Sequence, residues 1–151
     1  MAVTEFGSLG EALEITQRRV RLAARALGRH NLVHAFGHVS ARLDNESFLV
    51  CAPRPMGMID AGEDGTIVPI VGALPEGVLG EVRCHQRIYA IRPDVNGISR
   101  VFPRNVLTLS SMRMTPKSRI AFGTYFHPQP PLWDDPLLIR SDEPAIAFAK
   151  T

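Results

Sequence analysis

A chain of 151 residues is long enough for one domain that buries roughly 68–70% of its unfolded surface, so a single domain over residues 1–151 is expected. Hydrophobic residues make up 45% and charged residues 21%, an ordinary globular balance, and no apolar run approaches the ~20 residues of a membrane-spanning helix. A net charge of +2 with scattered arginines excludes the dense basic face of a nucleic-acid binder.

The opening MAVTEFGSLGEALE carries an early acid and no basic start before an apolar run. It does not read as a secretion signal, and the cytoplasm is the expected address, with Cys51 and Cys84 as reduced thiols. Ser8 and Glu11 have capping-box spacing, and Leu9, Leu13, Val20, Ala23, Ala24 and Leu27 recur at helical intervals. They predict a first helix from about Ser8 to Leu27, with Gly28 as its stop. HVSARL and SFLVCAP follow as two β-type runs joined by the polar turn DNES, which predicts an antiparallel hairpin. A third run, TIVPI, leads through GALPEGVLG into a helix that begins near Glu81 and ends near Arg92, ahead of Pro93. VNGISRVF and NVLTLSS alternate as two further strands, and MTPKSRIAFGTYFHPQPPLWDDP reads as an aromatic loop. SDEPAIAFAKT predicts a last helix with Ser141 as N-cap and Pro144 in its first turn. All 12 prolines follow residue 52, so the second half favours strands and stiff connections over long helices. The order of elements gives an α/β (α+β-like) fold, a mostly antiparallel or mixed sheet covered by helices.

The run EVRCHQRIYAIRPDV, residues 81 to 95, sets Glu81 one helical turn from His85, so the two share a face. Such a pair on a solvated helix contributes only about 0.2–0.5 kcal/mol and by itself says little. Context adds weight: Gly80 and the preceding GALPEG loop place Glu81 in the first turn, where a bound anion also finds backbone N–H groups. Arg100 lies in an apolar strand between Ile98 and Phe102, where a charge without a partner is costly. Arg54 follows the hairpin and reads equally well as a surface ion pair. Among the five histidines His34 and His38 lie four residues apart; with Glu81 or His85 they form an alternative two-histidine, one-carboxylate iron or manganese site.

The same run resembles the E-x-x-x-H-x-x-I-Y-x-x-R-P-D-V signature of the class II aldolase/adducin family. The resemblance implies a three-layer α/β/α fold, Glu81 as acid/base, and a divalent metal (Mn, Zn or Fe) held by a His-x-His pair after RPDV. In this chain Arg100 and Phe102 stand where those histidines would be. GHVSAR, residues 37 to 42, resembles the G-N-[IV]-S-x-R loop of the family, with His38 in place of the phosphate-contacting asparagine and with Ser40 and Arg42 retained. APRPMG, residues 52 to 57, replaces a Thr-Pro-Thr-Gly phosphate loop, and Leu79 and Gly80 replace two serines. With the hydroxyl donors gone, a phosphorylated sugar is not the expected substrate, and the arriving Arg54 and Arg100 suit a planar carboxylate instead.

HPQPPLWDDPLLIR, residues 127 to 140, resembles a branch of the family that includes hydroxy-methylpyridine-dicarboxylate and hydroxyphthalate decarboxylases, which handle aromatic acids; Trp133 and Phe126 would give a flat substrate a stacking wall. The implied function is a lyase that decarboxylates a small hydroxylated aromatic or heteroaromatic carboxylic acid. Glu81 and His85 would be catalytic, and His38, Ser40, Arg54, Gly80 and Arg100 would bind substrate. Glu81 would need its pKa raised in a partly dry pocket to act as an acid. A homo-oligomer, commonly a tetramer, is implied too, and a third metal ligand would come from a strand later than Thr151, so the domain reads as incomplete at its C-terminus. Two alternatives stay open: a non-catalytic adducin-like interaction module, and a non-haem iron oxygenase of an aromatic 2-oxo acid.

Overall fold

In the computed structural model, which describes residues 9–151, helix α1 spans Leu9–Arg29. Ser8, the expected cap, lies outside the described residues. Val20 and Ala24 are buried one turn apart, with Ala23 and Leu27 packed beside them, so one stripe of α1 faces the core. Gly28 does not stop the helix. Its backbone lies so close to a neighbouring turn that a Cβ would stand 2.3 Å from the Gly57 nitrogen. Asn31 ends the helix with φ 56°, while the Asn31 and Leu32 N–H groups donate to the Gly28 and Leu27 carbonyls.

Strands β1 (His38–Arg42) and β2 (Ser47–Val50) form the expected hairpin, with Ser40 opposite Val50. Asp44 closes it: Oδ1 accepts from the Glu46 and Ser47 N–H groups at 2.8 and 2.7 Å. Strand β3 (Thr66–Pro69) pairs with β2, and α2 (Arg83–Ile91) follows, ending before Pro93. Glu81 falls in a 3-10 turn, Gly80–Val82, that leads into α2; the α-helix itself begins two residues later than the sequence suggests. Strand β4 (Gly97–Arg100) pairs with β1, giving an antiparallel sheet of order β3-β2-β1-β4.

NVLTLSS is a helix, α3 (Arg104–Ser111), and not the expected strand. Pro103 fixes an extended backbone ahead of it, and the Thr108, Ser110 and Ser111 hydroxyls donate back to carbonyls one turn earlier. Helix α4 (Asp142–Lys150) starts after Ser141, whose side chain makes no capping bond. Asp142 instead accepts from Arg87 and pairs with Arg83, which fastens α4 to α2.

Alternate strand residues face opposite layers. Val39, Leu49 and Cys51 pack with α1, while Phe48, Val50 and Val68 pack with Val82 and Tyr89 on the α2 side. The result is the three-layer α/β/α arrangement, with His38, Ser40 and Arg42 of β1 on the α2 face. Among the described residues, no helix is long and apolar enough to cross a membrane.

Candidate functional site

Residues of β1 that face α2 meet Glu81, His85 and Tyr89, spaced one turn apart along the chain. His38 Nδ1 lies 2.9 Å from His85 Nε2, and His85 Nδ1 lies 2.6 Å from Ser40 Oγ. Ser40 Oγ in turn lies 2.9 Å from the Tyr89 hydroxyl. All four residues are buried, to 2% exposure or less, so this is a continuous polar chain inside the core. Arg42 steadies its far end: the guanidinium donates to the Tyr89, Arg92 and Val95 carbonyls at the C-terminus of α2, and its Cζ sits 4.7 Å over the Tyr89 ring.

The near end of the chain opens towards two adjoining cavities of about 550 and 450 Å³, both within the range of small-molecule sites. Glu81, Arg100, Phe102 and Leu138 line both, His38 the smaller, and His85 and Trp133 the larger. Arg100 lies directly opposite His38 in the β1–β4 register, and its Cζ is 4.5 Å from the centre of the Phe102 ring. Among the described residues it has no carboxylate partner within ion-pair distance. The Glu81 side chain is only 14% exposed and its Oε1 accepts from Arg140 Nη2 at 2.8 Å and from Nε at 3.1 Å. Gly80 makes that reach feasible, since a Cβ there would press on the Arg140 stem at 3.3 Å.

Partial burial pushes the Glu81 carboxyl up, but its own backbone N–H, Arg140 and Arg100 outweigh this and hold it below the ordinary carboxylate range. The raised pKa expected of an acid is therefore not the resting state; Glu81 rests as a carboxylate. Burial, then Arg100, lowers His38 to about 4 against the opposing pull of Glu81. Burial, His38 and Arg100 keep His85 far below its usual value, so both imidazoles are neutral. Burial also drives the Cys84 thiol up to about 11, which removes it as a nucleophile.

Not every expected residue is brought here. Arg54 pairs with Glu63 at 3.1 Å and Asp60 at 3.5 Å, and it lines neither cavity. Phe126 is 63% exposed and lines neither, whereas Trp133 forms part of the wall and meets Phe148 edge-on. Arg140, not Arg54, lines the smaller cavity; its contact with Glu81 spans 59 residues and leaves no trace in local sequence. Tyr89 did have a signal, the continuation of the Glu81 and His85 spacing by one more turn.

This is the class of protein in which a helix-start carboxylate and an antiparallel sheet frame a small-molecule cavity. A family model, Class II Aldolase and Adducin N-terminal domain, matches residues 18–134, and the chain belongs to that family. L-fuculose-1-phosphate aldolase from Thermus thermophilus is similar in structure, with TM-score 0.74 and 22% identity over 93% of this chain and 70% of that one. L-fuculose 1-phosphate aldolase from Glaciozyma antarctica (TM-score 0.59, 20% identity, 74% of this chain and 49% of that one) shares the fold as well. So does an aldolase II superfamily protein from Pseudomonas syringae, at TM-score 0.53 and 26% identity over 69% of this chain and 47% of that one. No curated protein matches.

The divalent metal that the family resemblance implies does not fit these residues. Arg100 and Phe102 stand where the resemblance would put the metal-binding pair, and a guanidinium lining the same cavity as Glu81 opposes a second cation. Both His85 nitrogens are engaged, and His34 is exposed. Among the described residues, no three His, Cys, Asp or Glu side chains group for a metal, the alternative set of His34 and His38 with Glu81 or His85 included.

Proposed function

We infer that this chain is a carbon–carbon lyase that decarboxylates a small hydroxylated aromatic or heteroaromatic carboxylic acid. The observation that carries the reading is the convergence of the Glu81 carboxylate with the Arg100 and Arg140 guanidinium groups in one cavity of about 450 Å³, beside the apolar rings of Phe36 and Phe102. A guanidinium recognises a carboxylate through two parallel N–H donors, and apolar walls suit a flat ring. Arg100 has no carboxylate partner of its own among the described residues, so an incoming acid completes it.

The Glu81–Arg140 pair gives the reaction its proton. A substrate carboxylate that takes Arg140 removes two of the bonds that hold Glu81 ionised and sets a second negative charge beside it, and both changes join partial burial in favouring the protonated form. Glu81 delivers that proton to the ring carbon bearing the departing carboxylate. The electron pair of the broken carbon–carbon bond returns to the protonated ring as carbon dioxide leaves, the ring hydroxyl shares the positive charge of that intermediate, and Arg100 holds the remaining carboxylate.

Carbon dioxide release from hydroxylated aromatic dicarboxylates tests this. Wild type is expected to turn over, and Glu81→Gln is expected to lose at least about 100-fold, the usual range for a positioned general acid. Equal turnover in the two would remove Glu81 from the chemistry. Ligand binding without turnover in wild type would favour a non-catalytic adducin-like module, to which loss of the metal-binding pair also points.

A further inference from the structure

His38 has a free nitrogen where an exposed surface would not allow an inference. The residue is 2% exposed and its Nε2 has no hydrogen-bond partner among the described residues, while Nδ1 is committed to His85. What Nε2 offers, a proton or a lone pair, is decided at the other end of the chain. Each link from Tyr89 through Ser40 and His85 to His38 carries one proton; were Ser40 to accept from both neighbours, its own proton would have no acceptor among the described residues, so the links point the same way. If Tyr89 donates to Ser40, then Ser40 donates to His85 Nδ1, His85 Nε2–H donates to His38 Nδ1, and the His38 proton sits on Nε2. In the opposite direction the Tyr89 hydroxyl receives from Ser40 and must donate elsewhere. Among the described residues Ser40 is its sole hydrogen-bond partner, so that direction buries both the Tyr89 proton and the His38 Nε2 lone pair unpaired, whereas the first leaves only the His38 Nε2–H, the group an incoming oxygen satisfies.

Arg100 stands opposite His38 across the two strands, so their side chains leave the same face of the sheet about 4.5–5.5 Å apart at Cβ. We propose that Tyr89, Ser40 and His85 are positioning residues that fix His38 as a neutral Nε2–H donor, and that this N–H and the Arg100 guanidinium together form a receptor for a carboxylate or enolate oxygen. The pair serves where the family resemblance implies a divalent cation. Leu79 and His38 both line the 450 Å³ cavity and a small void of about 10 Å³. Leu79 therefore stands beside His38 at the edge of the space that a ligand oxygen would enter. The identity of that oxygen rests on the carboxylic-acid reading above; the direction of the proton chain does not.

Long-range proton–nitrogen NMR of histidine-labelled protein at neutral pH reads the tautomers with no ligand. His38 and His85 are both expected to carry their proton on Nε2, and Ser40→Ala is expected to leave His85 in a mixture. A His38 proton on Nδ1 overturns the proposal. Phthalate then serves as the anion probe. Binding is expected to move the His38 Nε2–H resonance and to weaken more than about tenfold in His38→Phe, the loss of roughly one charge-assisted hydrogen bond, while His38→Gln, which keeps an N–H donor, falls between. Unchanged phthalate affinity in His38→Gln and in a folded His38→Phe removes His38 from the receptor. Correct tautomers and phthalate binding without carbon dioxide release leave the receptor standing and overturn only the decarboxylase reading.

Discussion

A histidine that resists protonation makes the protein sensitive to mild acid. His38 is held to about 4 by burial first and Arg100 second, against the raising influence of Glu81, while an unfolded histidine titrates near 6.5. Between those values the unfolded chain takes up a proton that the native chain refuses. Stability is therefore complete above about 6.5 and drains as the pH falls towards 4, by on the order of 3 kcal/mol for this group. His85 is shifted the same way, so its contribution has the same sign. Glu81, with its folded value depressed, adds stability above its unfolded value that is lost at still lower pH. Thermal melts at pH 7 and 5 should show a clear drop for wild type and a shallower one for His38→Gln. Equal slopes would mean that His38 titrates normally in the native state.

At the scale of elements, patterns that depend on near neighbours are readable and those that depend on distant ones are not. The hairpin, the third strand and the end of α2 follow from alternation, the Asp44 turn and Pro93. Arg54 is ambiguous in sequence although its partners Asp60 and Glu63 lie only six and nine residues ahead. NVLTLSS alternates as a strand would, yet sheet pairing ends with β4, and a segment without a strand partner satisfies its backbone as a helix. Gly28 illustrates the same limit: a glycine near a helix end suggests a stop, but here the space it leaves is filled by Gly57, 29 residues away. Gly28→Ala forces a Cβ into that backbone and is expected to cost about 1–3 kcal/mol by urea unfolding. Gly62→Ala, with nothing within 4 Å of its Cβ, is the neutral control. Comparable midpoints for the two would show that α1 and the Met56–Met58 turn separate easily.

Across the whole molecule, large apolar side chains remain uncovered in the second half: Phe122 is 83% exposed, Tyr125 88% and Leu137 75%, with Phe36 at 76% beside the smaller cavity. Isolated cases are ordinary, but aromatic residues gathered in one segment point to association. A homo-oligomer is expected by sedimentation or light scattering, and Phe122→Asp with Tyr125→Asp should shift it towards monomer; a wild type that is monomeric at high concentration would contradict this. The tail of the fold bears on timing. Arg140 grips Glu81 in the turn ahead of α2, and two residues later Asp142 is locked to Arg83 and Arg87 of α2 itself. On the proposed mechanism, whatever loosens α4 slackens the arginine that helps hold Glu81 ionised, so the rhythm of ligand exchange is expected to follow how often that short clasp unfastens, a rate that amide exchange in α4 would clock directly.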